Sequence, residues 1–256
     1  MKRLHYIFNG AVYLSFIIFL SACGSSYKLA EVSGSKMEMN STWDNPPDAA
    51  AMAVLHQYKE KIDSIMSPVV GYSAMDMPQL RPGSALSNLV SDVLRQSAQE
   101  YMDIPADIGL MNIGGLRSTL KKGDITYGDI FEILPFENSL CVLMMRGTVI
   151  KELMENIVSV YGEGISNARI VASPDREIIE CTVGGQPIDD NKLYAVATLD
   201  YLAEGNDKLV AFRKAEEKFC RPEVTIRQIF LNYVQGLTRE GKQVTADEEP
   251  RVILLK

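Results

Sequence analysis

From Ser84 onward the apolar residues switch repeatedly between helical spacing and short unbroken runs. That alternation constrains the fold more than any other feature. Leu86, Leu89, Val90, Val93, Leu94 and Ala98 recur at helical spacing behind Ser84, which predicts an amphipathic helix with one buried face. DIGLMNI then reads as a short strand, TYGDIFEIL as a short helix stopped by Pro135, and SLCVLMMRG as a nearly all-apolar strand. Gly147-Thr148 opens a helix carrying Val149, Ile150, Leu153, Met154, Ile157 and Val158. ARIVAS, REIIECTVGGQPI and KLYAVATLDYLAEG are strands separated by turn signals. Thr225 and Gln228 predict a capping box before a helix that buries Ile226, Ile229, Phe230, Tyr233, Val234 and Leu237, and RVILLK closes the chain as a strand. Upstream, Pro46-Pro47-Asp48 opens a helix to about Ser67, with Val54, Tyr58, Ile62 and Ile65 roughly on one side. PVVGYSA is a strand and Arg81-Pro82-Gly83 a turn. No internal repeat or low-complexity segment interrupts this order. The pattern predicts an α+β fold: a single domain with a mixed β-sheet, hairpin-like strand pairs and flanking helices.

The first residues are set apart from that domain. Lys2 and Arg3 precede an apolar run that ends in Leu20-Ser-Ala-Cys23, too short for a comfortable membrane span and with the small-residue finish of an export signal. The four residues resemble a bacterial lipobox, which implies cleavage before Cys23 and lipid on its sulfur. The expected organisation is a lipoprotein signal peptide over 1–22, a lipidated cysteine and flexible tether over 23–45, and the folded domain over 46–256. Gly24 rather than Asp after the cysteine directs the expectation to the outer membrane, and the lipid would hold the domain at a membrane surface.

Charge and residue counts narrow the chemistry. The formal net charge is −7, and loss of Lys2 and Arg3 with the signal takes it to about −9. No basic cluster offsets this, so long nucleic acid is not an expected partner. The two histidines are His5, which leaves with the signal, and His56. One imidazole cannot build a His-rich zinc or dinuclear hydrolase site. Cys141, Cys181 and Cys220 lack metal-like spacing; the preferred reading is buried thiols, and Cys181 with Cys220 can pair in an oxidising compartment.

The stretch from Met111 to Asn138 concentrates the residues that carry chemistry. A strand ends in Asn112 and meets Gly114-Gly115, which permit close backbone approach to a ligand and N–H groups that can face an acceptor. Arg117 lies just beyond, with a fork suited to a carboxylate or phosphate, or to a fold-holding pair with Asp124 or Asp129. Pro135 fixes the backbone that presents Phe136, and Asn138 adds a donor and an acceptor.

Taken together, Asn112-Ile-Gly-Gly-Leu-Arg117, Gly123-Asp-Ile-Thr126 and Pro135-Phe-Glu-Asn138 resemble the C-terminal domain of the 5′-nucleotidase, UDP-sugar hydrolase and 2′,3′-cyclic-nucleotide phosphodiesterase family. RPGSALSNLVSDVL, LMMRGTVIKELMEN and TLDYLAEGNDKL match further family segments, and the similarity runs over about residues 68–256. The resemblance implies a substrate-binding site made by Arg81, Asn112, Gly114, Gly115, Arg117, Phe136, Asn138, Tyr201 and Asp207. In it Phe136 and Tyr201 sandwich the base and Asn138 meets the base edge. Asp207 accepts from the ribose hydroxyls, and Arg117 and Arg81 serve the phosphate or its neighbourhood. The chain departs from the family pattern in Gly205-Asn206-Asp207 for Gly-Gly-Asp, where Asn206 is expected to take the positive φ. Tyr201 replaces the usual Phe, and a second phosphate-facing arginine near Arg81 has no counterpart.

The larger departure is the absence of the family's metallophosphatase motifs. The chain therefore reads as the nucleotide-holding half of a split enzyme, with no cofactor of its own. Divalent metals are expected on a separately encoded metallophosphatase partner. A nucleoside- or nucleotide-binding lipoprotein without catalysis is the alternative, and a stable domain with a decayed site is the third reading.

Overall fold

The computed structural model describes residues 33–44 and 46–255. The expected signal peptide, Cys23 and the first part of the tether lie outside the described residues. Two compact units divide the chain, one up to Met52 and one from Ala53 to Lys256. The described part of the first has no regular structure before a single 3-10 turn, Ser41–Asp44, followed by Asp48, whose Oδ1 accepts from the N–H groups of Ala50 and Ala51. These bonds cap the helix Ala49–Met66 (α1). No residue of α1 is buried. The row of Val54, Tyr58, Ile62 and Ile65, expected roughly on one side of the helix, is more than half exposed throughout.

The second unit holds three sheets where the sequence suggests one. The principal sheet has the order β10-β4-β9-β2-β5, made of Glu217–Thr225 (β10), Ser139–Arg146 (β4), Leu193–Leu199 (β9), Ile108–Met111 (β2) and Gly164–Ser166 (β5). β2 and β9 run parallel, and the other pairs are antiparallel, so the sheet is mixed as expected. Ala168–Ala172 (β6), Ile178–Val183 (β7), Gln186–Pro187 (β8) and Val252–Leu254 (β11) form a second sheet in the order β11-β6-β7-β8. Its β7–β8 hairpin turns through Gly184 and Gly185, both at positive φ, as a tight hairpin loop requires. Val69–Ser73 (β1) and Gly123–Thr126 (β3) make a two-stranded ribbon.

Helix Ala85–Met102 (α2) lies against β2, β5 and β9. Its six helix-spaced apolar residues are all buried, and each of the five Leu and Val side chains stabilises the fold by roughly 2 kcal/mol through area removed from water. Gly109 on β2 lets the sheet approach: a Cβ there would lie 2.2 Å from the Ser91 carbonyl oxygen. Ser84 and Ser87 form a reciprocal capping box at the start of α2. Thr126 and Asp129 do the same for Tyr127–Ile133 (α3). Gly147–Ser159 (α4) follows β4 directly, and Asp200–Ala203 (α5) follows β9. Ile226–Arg239 (α6) has only half of its expected box. Thr225 Oγ1 accepts from Gln228 N at 3.3 Å, but the Gln228 side chain donates to Asn232 instead of returning to the cap.

The cysteine expectation is corrected. Cys141 on β4 stands opposite Cys220 on β10, and the two form a disulfide with Cα atoms 4.1 Å apart. Sequence spacing hid this, because the pairing depends on the register of β10, a charged edge strand without apolar alternation. Among the described residues Cys181 is the free cysteine, its pKa pushed up to about 11 by burial, so it stays a protonated thiol near neutrality.

Candidate ligand-binding site

β2 and β9 are parallel neighbours, so both chains leave the sheet at the same end, and antiparallel β4 enters there. Leu140, the second residue of β4, pairs with Leu199, the last of β9. Three connections therefore meet at one place: the 3-10 turn Ile113–Gly115 after β2, the Leu134–Asn138 link before β4, and Tyr201–Asp207 after β9. Between them lies a cleft of about 330 Å³ lined by Asn112, Gly114, Gly115, Phe136, Asn138, Tyr201 and Asp207. Residues 95 positions apart in sequence thus come together. Seven of the nine candidate site residues line one cavity, and Arg81 and Arg117 do not.

Asp207 is the polar hub. Asn112 Nδ2 donates to its Oδ2 at 2.6 Å, and the Tyr201 hydroxyl donates to its Oδ1 at 2.9 Å. That bond favours the protonated phenol and raises the Tyr201 pKa above its usual value. With its NH₂ group committed to a carboxylate, the Asn112 amide can only turn its oxygen the other way. Asn112 Oδ1 is buried without a donor, and a Cβ on Gly115 would lie 2.7 Å from it. Gly115 is thus fixed by the amide beside it, while Gly114 is open at the surface.

The loop that carries Asp207 is held by backbone conformation. Gly205, Asp207 and Lys208 take positive φ of 77°, 52° and 64°. The expectation placed that role on Asn206. Instead the Asn206 side chain donates to the Tyr201 carbonyl at 2.8 Å, bracing the loop from inside. Asp200 ties the arm back to the sheet, accepting from Ser139 Oγ and from Tyr201 N.

Phe136 and Tyr201 both line the cleft and are 47% and 41% exposed. Phe136 is positioned by a residue that the sequence does not flag. Arg227 on α6, only 8% exposed, donates to the Leu134 and Pro135 carbonyls at 3.2 and 3.1 Å. Its guanidinium also lies over the Phe131 ring and pairs with Glu137. An arginine beside Ile226 at a helix start reads as a surface charge, and nothing local signals otherwise.

The two arginines outside the cleft differ. Arg81 donates to the Val160 and Gly162 carbonyls and pairs with Glu163 at 2.8 Å. Glu163, 1% exposed, accepts from Ile113 N through its other oxygen at 2.5 Å. Arg81 is therefore linked to the glycine turn through Glu163. Burial raises the Glu163 pKa, and the Ile113 N–H and Arg81 oppose that shift. Glu163 was missed in the sequence; a charge set between Gly162 and Gly164 in an apolar context was the available signal. Arg117 makes neither expected ion pair. Asp129 is taken by Thr126, and the bond found for Arg117's side chain is a long 3.3 Å contact to the Gly114 carbonyl. Its guanidinium stands exposed beside the cleft.

Four N–H groups of the glycine turn are already committed within the protein. The N–H groups of Ile113, Gly115, Leu116 and Arg117 go to Glu163, Asn112, Ile113 and Ile133 respectively. The turn gives shape more than charge. Among the described residues no three His, Cys, Asp or Glu side chains gather as a metal-holding group. The cleft can bind a flat ring against Phe136 and Tyr201, accept hydroxyl donors at Asp207, and meet an anion at Arg117.

Residues 69–214 match the family described as 5′-nucleotidase, C-terminal domain. The chain is 32% identical to the Bacillus subtilis protein named endonuclease YhcR over 165 residues, 61% of this chain and 13% of that one. It is 29% identical to the Haemophilus influenzae NAD 5′-nucleotidase over 194 residues, 65% of this chain and 32% of that one. The crystal structure of a 5′-nucleotidase precursor from Thermus thermophilus superposes with a TM-score of 0.72 at 25% identity, covering 81% of this chain and 43% of that one. The chain thus spans a third or less of these two curated relatives and under half of the solved protein.

Proposed function

Because the chain belongs to the 5′-nucleotidase C-terminal-domain family, we propose that its cleft holds the base and ribose of a nucleotide while a separately encoded metallophosphatase hydrolyses the phosphate ester. The observation that carries this reading is the convergence of Phe136, Tyr201, Asn138 and Asp207 on one cavity. Each aromatic stack contributes about 1–3 kcal/mol to holding a base. Asp207 accepts from the ribose, Asn138 reads the base edge, and Arg117 meets the phosphate with a planar fork. Arg81 acts through Glu163 on the turn. Divalent metals, when bound by the partner, would supply an activated water at the phosphorus; this chain supplies position and grip.

The proposed setting is the cell envelope, with Cys23 lipidated and the domain held at the outer membrane. The lipobox-like LSAC and the Cys141–Cys220 disulfide support it, since such bonds persist in oxidising compartments. A nucleoside-capturing lipoprotein without catalysis is the second reading, favoured by the fact that the cleft is formed by this chain alone.

Reconstitution separates the two. The purified chain is expected to release no phosphate from AMP with any divalent metal, and to raise turnover when mixed with a metallophosphatase domain encoded beside it. Turnover by the chain alone would overturn the division of labour, and AMP binding with no stimulation of any such partner would favour the capture reading.

A further inference from the structure

We infer that Tyr201 does more than stack: its hydroxyl sets Asp207 to receive a free 2′,3′-diol, making the cleft selective for ribose over deoxyribose and over 2′,3′-cyclic esters. This rests on the nucleotide-binding reading above and deepens it.

An ionised Asp offers about four lone-pair positions on two oxygens. Asn112 occupies one on Oδ2 and Tyr201 one on Oδ1. One position remains on each oxygen, side by side, which suits two vicinal hydroxyl donors. Both present partners are neutral donors, so neither neutralises the charge that makes such bonds strong.

The backbone shows why the anchors are needed. Asp207 sits at φ 52° and is followed by Lys208 at φ 64°. Two successive non-glycine residues in the left-handed region are unfavourable without outside support. The two donors come from different elements, Asn112 at the exit of β2 and Tyr201 in α5, so the carboxylate is fixed by triangulation.

A phenylalanine at position 201 would keep the stacking ring and lose the second anchor. A deoxyribose leaves one acceptor position empty, and a cyclic 2′,3′-phosphate presents no donor and places an anion against the carboxylate.

The test is calorimetric titration of the purified full chain with adenosine and with 2′,3′-dideoxyadenosine, in wild type, Tyr201→Phe and Asp207→Asn. Wild type is expected to prefer adenosine by about tenfold or more, the worth of hydrogen bonds to a charged acceptor. Tyr201→Phe is expected to shrink that ratio several-fold, and Asp207→Asn to bring it near one. Thermal unfolding checks that both variants are folded. An unchanged ratio in Tyr201→Phe would show the hydroxyl idle and overturn the inference. A wild-type ratio near one, or 2′,3′-cyclic AMP bound as tightly as AMP, would overturn it while leaving base stacking intact. Failure of the wild type to bind either nucleoside would overturn the nucleotide-binding reading itself.

Discussion

The two sides of the cleft are built on opposite principles. On the Asp207 side, side chains in the cleft hold one another: Asn112 and Tyr201 fix the carboxylate, and Asn206 braces the loop beneath. On the Phe136 side, the ring makes no such bond. Its position comes from outside the cleft, through Arg227 gripping the two carbonyls before it and through β4, which is tied to β10 by the disulfide. The polar side carries its own rigidity, while the apolar side borrows rigidity from the scaffold. A half-exposed ring has no polar handle to be held by, so the backbone presenting it must be fixed instead.

The largest expected effect comes from cutting the apolar side's scaffold. A Cys141→Ala/Cys220→Ala variant releases a cross-link between residues 79 positions apart, and the chain-entropy account puts the loss at roughly 4 kcal/mol. Denaturant midpoints of the two proteins give the value, and a change under a few tenths would show that the bond contributes no constraint. Arg227→Met comes next. It leaves the Leu134 and Pro135 carbonyls without their donor, for an expected loss of about 2–3 kcal/mol. Base affinity falls with it. If stability drops but affinity holds, Phe136 does not depend on this arginine.

Glu163 sharpens the polar side through pH. Its folded pKa is raised above the ordinary 4.5, chiefly by burial. The folded state then binds its proton more tightly than the unfolded chain. This contribution to stability is present at and below pH 4.5 and is lost as pH rises through the folded pKa. Unfolding measured against pH should show wild type losing stability relative to Glu163→Gln over that interval, and parallel curves would contradict the assignment. The smallest stability effect belongs to Phe136→Ala, within about 0.5 kcal/mol because the ring is half exposed. The same change should weaken base binding by about 1–3 kcal/mol. A stability loss comparable to the binding loss would make Phe136 a packing residue.

The contrast also explains what the sequence disclosed. The amphipathic faces of α2 and α6 were legible because burial follows helical spacing, and the Asn112 to Asn138 motif was legible because glycine and proline mark backbone needs directly. What stayed hidden depends on register or on distant contacts. β10 gives no strand pattern because its exposed face is charged, so the Cys141–Cys220 pairing stayed hidden. The structural partner of Arg81 was hidden because Glu163 lies 82 residues away. Arg227 gave no sign because its acceptors are carbonyls, which are the same in every residue. Asn206 looked like the left-handed residue because only its type was visible, and its side-chain bond to Tyr201 was not.

The central claim is that Phe136 and Tyr201 form a preformed grip for a base. Calorimetric titration of the full chain with AMP, beside a Phe136→Ala/Tyr201→Ala variant, tests it most directly. The account predicts binding in the micromolar to millimolar range, on the order of −4 to −8 kcal/mol, and its loss in the folded double variant. Equal AMP affinity in both proteins would contradict it.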